Sequence, residues 1–156
     1  MRKIAIVLAA LVLNACGGNG KKEDQRAYPN EVPATAEYVI GFGETLHVEG
    51  GLALEFTSLT EDSRCPMNAM CIWAGNARIL MTATLKDDST QVIELNTNPD
   101  FPTRAQLDMS YVVELRKLEP YPVIDPQTGS GPIPASSYEA TVFVDRVMTH
   151  QATQGP

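Results

Sequence analysis

The chain has 156 residues, 44% of them hydrophobic, with a formal net charge of −7 and a pI near 4.7. That size and composition suit one globular domain with a real core. Duplex nucleic acid is excluded as a partner, because beyond Lys21-Lys22 there is no cluster of cations to displace counterions from phosphates.

The first residues have the layout of an export signal. Met1-Arg2-Lys3 is cationic and Ile4 to Leu13 is an unbroken apolar run, short for a membrane span but suited to a secretory core. It ends in Leu13-Asn14-Ala15-Cys16 followed by Gly17-Gly18. This resembles the lipobox of bacterial lipoproteins, with Leu three residues before the cysteine and a small residue directly before it. The resemblance implies a signal peptide over 1–15, cleavage after Ala15, and diacylglycerol on the Cys16 thiol. The mature chain would then carry a formal charge of −9, so anionic lipid would not attract it and more than one acyl chain would have to hold it. Gly17 after the cysteine, where an aspartate marks inner-membrane retention in enteric bacteria, points to the outer membrane.

Cysteine arithmetic agrees. Three cysteines are an awkward count for an exported protein. With Cys16 lipidated, Cys65 and Cys71 are left as an even pair in a compartment where disulfides persist.

Glycine, charge and proline fill 16–36, so this stretch is expected to be a flexible tether that would hold the domain about 25 Å from the membrane. Short alternating runs follow over 37–148. Val39, Gly41 and Gly43 lead into Leu46 and Val48. After Gly50-Gly51, Leu52, Leu54 and Phe56 share a face, which predicts a hairpin. Ala77, Ile79, Met81, Ala83 and Leu85 form the cleanest strand face, and Gln91 to Leu95 returns beside it across the Asp87-Asp88-Ser89 turn. Asn96 to Ser110 reads as a loop with a helical turn near Arg104 to Asp108. Tyr111, Val113 and Leu115 begin another strand, and Leu118, out of phase by one, predicts a bulge at Arg116-Lys117. Glu119 to Ser137 is a long proline-rich loop, Tyr138 to Val147 a last strand, and 149–156 a polar tail. The fold class is therefore all-β: a single antiparallel sandwich of immunoglobulin-like character, with little helix outside the signal peptide.

The segment from Glu61 to Leu85 organises the rest. Cys65 and Cys71 can close a small ring across Pro66 and Asn68, worth about 2 kcal/mol, which would stiffen the entry to the Ala77 strand and set Trp73 against the core. A second reading makes Cys65, Met67, Met70 and Cys71 a soft copper(I) site. The acidic pairs Glu61-Asp62 and Asp87-Asp88 read as solvated turns, and His47 as a surface histidine.

The run S-R-C-P, four residues, C-x-W-A-G over 63–75, followed later by Tyr111-Val112-Val113-Glu114-Leu115 through Pro120-Tyr121-Pro122, resembles small bacterial lipoproteins. That resemblance implies location and fold and brings no activity with it. No serine-hydrolase elbow, H-E-x-x-H or phosphate-cradling glycine loop occurs. The expectation is a lipid-anchored, non-catalytic binding or structural module without a cofactor, partnered by the membrane and by an envelope protein or cell-wall component. The alternatives are copper handling and an envelope hydrolase with a dispersed site. The loop 119–137, with Tyr121, Asp125 and Tyr138, is the candidate contact surface.

Overall fold

The computed structural model describes residues 30–129 and 131–147. The expected signal peptide, Cys16 and most of the expected tether at one end, and the expected polar tail at the other, lie outside the described residues. The described chain forms eight strands: β1 (Ala36–Gly41), β2 (Thr45–Val48), β3 (Leu52–Asp62), β4 (Ala77–Thr84), β5 (Thr90–Asn96), β6 (Arg104–Leu107), β7 (Tyr111–Glu119) and β8 (Glu139–Arg146). They build two four-stranded sheets, ordered β1-β8-β7-β6 and β2-β3-β4-β5, every pairing antiparallel. This is the all-β sandwich the alternating runs require.

What the domain shares with immunoglobulin domains is this two-layer antiparallel packing. Its connectivity is a meander, in which each strand lies beside its sequence neighbour or crosses to the facing sheet at a corner. Two corners make the crossing. At one, the Phe42 N–H donates to the Tyr138 carbonyl in one sheet while the Gly43 N–H donates to Phe56 in the other. At the second, Pro102 accepts from Asn96 and Thr103 accepts from Leu115. Both corners satisfy backbone groups that edge strands would leave open.

Register places the apolar faces together. Leu54 pairs with Ala83, Phe56 with Met81 and Ile79 with Leu95. In the other sheet Val113 pairs with Val144, Leu115 with Val142 and Leu118 with Ala140. All twelve are buried. The predicted bulge is present, as a register shift between Leu115 and Lys117. The extra residue, Arg116, returns Leu118 to the core face and turns its own guanidinium outward over Phe143, 5.3 Å from the ring centre.

Three local expectations change. The segment 104–108 is not a helical turn: Arg104 to Leu107 pair with β7 as strand β6. Four alternating residues give little periodic signal, and here the pairing with Tyr111 to Glu114 decides. In β1 the core residue is Ile40, while Val39 faces out. The domain also begins before residue 37. Val32 bridges to Val48, its N–H donating to His47 and its carbonyl accepting from Glu49, and Ala34 is buried.

The meander sorts the connections by length. The turns at 49–51, 85–89 and 108–110 gather at one end with residues 30–35 and Val147. There the Tyr111 hydroxyl donates to Glu49 and the Val147 N–H to Ser110. The long connections 63–76, 97–103 and 120–138 gather at the other end.

Candidate functional site

The β3–β4 connection continues the ladder past the sheet. The Ser63 N–H donates to Asn76 at 2.7 Å and the Cys65 N–H to Ala74 at 2.8 Å. Pro66 then opens a tight turn, its carbonyl accepting from Ala69. A disulfide joins Cys65 to Cys71 and closes the loop. Gly75 makes the narrow ribbon possible: it sits at φ +72°, and a Cβ there would overlap the Ser63 carbonyl.

Arg64 pins this clip to the sandwich. Its side chain is 4% exposed. Nε and Nη2 donate to the two carboxylate oxygens of Asp62 at 2.8 and 2.7 Å, Nη1 to the Leu118 carbonyl at 2.6 Å, and Nη2 also to Pro120 at 2.9 Å. The guanidinium also lies 4.7 Å from the centre of the Tyr121 ring. The Tyr138 hydroxyl completes the group, donating to Asp62 Oδ2 at 2.8 Å. Burial raises the Asp62 carboxyl, but the hydrogen bonds from Arg64 and Tyr138 and the charge of Arg64 outweigh it, so Asp62 titrates below the ordinary carboxylate range. Burial, followed by the bond to Asp62 and its charge, pushes the Tyr138 hydroxyl up to about 12. The adjacent Glu61-Asp62 pair is thus split in character. Asp62 is a paired, nearly buried anion, and Glu61 stays at the surface.

The clip tip faces solvent. Met67, Met70 and Ile72 are exposed, and Trp73 is 78% exposed. This corrects the expectation that Trp73 packs on the core. The inward position at this end belongs to Arg64, and the ring of 65–71 extends past the sheet, so the residues leaving Cys71 emerge outside. The clip leans on the β7–β8 loop instead. Met67 N–H donates to Pro122, and the Asn68 amide exchanges two hydrogen bonds with the backbone of Ile124 at 2.7 and 2.8 Å.

Beside the clip, an open cleft of about 380 Å³ runs over the outer face of β3, β4 and β5. Trp73 and Phe101 are its aromatic lining, and Phe101 is 52% exposed. Arg78 lies on the floor, 3.6 Å from Glu61 and 4.0 Å from Glu94. Three asparagines hold one another behind it: Asn76 Nδ2 donates to Asn96 Oδ1 at 2.8 Å, and Asn76 Oδ1 accepts from the Asn98 N–H at 3.1 Å.

The structure separates the three residues singled out on the β7–β8 loop. Tyr121 lies at its start under Arg64, with 36% of its surface exposed. Tyr138, at the loop's end, is buried on Asp62. Asp125 stands apart at the surface, its Oδ1 accepting from the N–H groups of Gln127 and Thr128 and so capping a turn closed by Gly129. The two thiols a copper site needs are joined to each other. Sequence reasoning missed Arg64 and Phe101. The arginine inside S-R-C-P was the available signal, whereas Phe101 had none, because nothing along the chain links it to Trp73.

The described chain is therefore an antiparallel meander sandwich whose long connections converge on a disulfide-clipped, partly apolar end. Comparison with family models, curated proteins and solved structures finds no match for it.

Proposed function

We propose that this protein is a lipid-anchored module of the bacterial cell envelope that binds a partner, without catalysis, through its clip end. The observation carrying this reading is the exposure of Met67, Met70, Ile72 and Trp73 on a loop that the disulfide, Arg64 and Asn68 hold rigid. Isolated exposed apolar residues are ordinary, but four of them between Met67 and Trp73 on a stiff scaffold support an interaction surface. Residues 30–35 join the opposite end of the sandwich, so an anchor at Cys16 presents the clip outward from the membrane, with the outer membrane as the favoured site. The β7–β8 loop contributes by buttressing the clip and through the exposed part of Tyr121.

Two measurements test this. Cys16→Ser should move the protein from the membrane fraction to the soluble fraction; persistence in the membrane removes the anchor from the reading. A photo-crosslinking amino acid at Ile72, introduced in living cells, should give a discrete adduct, whereas the same group at Val39 on the outer face of β1 should not. Absence of an adduct from position 72 removes the clip as the contact surface.

A further inference from the structure

The chemistry of the cleft beside Trp73 narrows the kind of partner. Its two aromatic lining residues, Trp73 and Phe101, are too exposed to serve the core. Its floor is polar and held in place before any ligand arrives. Arg78 lies between Glu61 and Glu94, and its Nε donates to Thr60 at 3.0 Å. Asn96 is fixed by Asn76 and by the Pro102 carbonyl. Preorganised groups of this kind lose little freedom on binding.

Two carboxylates against one guanidinium leave the floor with a formal charge of −1, which disfavours phosphorylated or carboxylated ligands. A purely apolar peptide side chain would exclude water from carboxylates and a guanidinium that, at 3.6 and 4.0 Å, satisfy one another only in part. A pyranose fits both halves. One face presents C–H groups that pack on an aromatic ring, and its rim presents hydroxyls that donate to carboxylates and accept from a guanidinium. From this geometry we infer that the cleft binds a neutral glycan chain, with a sugar ring stacked on Trp73 and its hydroxyls bonded to Glu61, Glu94 and Arg78. The inference rests on the binding reading above and gives it a ligand class.

Trp73 is the only tryptophan in the chain, so its fluorescence reports on the cleft alone. The full chain, purified in detergent with its disulfide intact, is titrated with N-acetylglucosamine tetramer, cellotetraose and maltotetraose. At least one should give a saturable blue shift. By calorimetry, Trp73→Ala and Phe101→Ala should each weaken that sugar about tenfold or more, as expected for loss of a stacked aromatic surface, while unfolding midpoints stay unchanged. Binding that survives Trp73→Ala at full strength overturns the inference, as does failure of all three sugars. If the sugars fail while the crosslinker at position 72 still traps a partner, the glycan is wrong and the binding module stands. If both fail, both readings fall.

Discussion

Asp62, the last residue of β3, and Arg64, two positions beyond it, face each other as a forked ion pair with contacts of 2.8 and 2.7 Å, both nearly withdrawn from water. The same guanidinium reaches the carbonyls of Leu118 and Pro120, on β7 and just beyond it in the opposite sheet. One side chain thereby ties the clip, the end of β3 and the start of the long β7–β8 loop.

Removing that side chain takes the donor from the Leu118 and Pro120 carbonyls and leaves the buried Asp62 carboxylate without its cation, with only the Tyr138 hydroxyl and the backbone N–H at position 64 still donating to it. Arg64→Ala should cost about 3–5 kcal/mol, the range for breaking one partner of a buried pair, read as a lowered urea midpoint. Arg64→Lys should recover only part of this, because an ammonium cannot reproduce the planar fork. A full recovery would reduce Arg64 to a simple point charge.

The same cluster sets a pH dependence. Asp62 has a lowered carboxyl pKa in the fold, so its contribution is complete above the ordinary carboxylate value of about 4 and is lost as pH falls through the depressed value. Tyr138 is raised to about 12, so its contribution is complete below the ordinary tyrosine value of about 10 and is lost as pH rises toward 12. Between these limits both contributions should be constant. Asp62→Asn should flatten the acid limb and Tyr138→Phe the alkaline one, each read by thermal unfolding across pH.

Gly75 should tolerate no side chain. Its positive φ alone costs an L-residue about 1–2 kcal/mol, and the overlap with the Ser63 carbonyl adds to that. Gly75→Ala should therefore destabilise by about 2 kcal/mol or more. Gly129 also has a positive φ but open space around it, so Gly129→Ala should cost less.

The disulfide should matter more to the clip than to the sandwich. Cys65→Ser with Cys71→Ser should lower stability by about 2 kcal/mol, with the sheets preserved in circular dichroism, while adduct formation from position 72 falls. An unchanged adduct would show that Arg64 and the loop hold the tip without the cross-link.

Asn68 offers a separate handle on the buttress. Asn68→Ala removes both bonds to Ile124, a loss of about 1 kcal/mol each at most, given their exposure. Limited proteolysis should then cut between Tyr121 and Gly129 sooner, with little change in the global unfolding midpoint.

Several of these features could be read along the chain because they depend on local order. Ala77, Ile79, Met81 and Ala83 alternate, so period two alone assigns their strand and its buried face. Leu118 slips phase by one, so the bulge before it follows. Cys65 and Cys71 sit close enough for a turn to join them. The tertiary structure decided whatever depends on residues far apart in sequence. It is the pairing of Arg104 to Leu107 with β7 that makes them a strand. Arg64 is buried because Asp62, Leu118 and Pro120 bring acceptors to it from two segments while Tyr138, from a third, donates to Asp62, and an arginine goes inside only where its donors are met. Trp73 faces outward because Arg64 holds the inner position and the closed ring projects past the sheet. It shares a cleft with Phe101 because the long connections of the meander are brought to one end. Hydrophobic period tells a residue which face of its own strand it occupies, but only the folded chain determines what stands opposite.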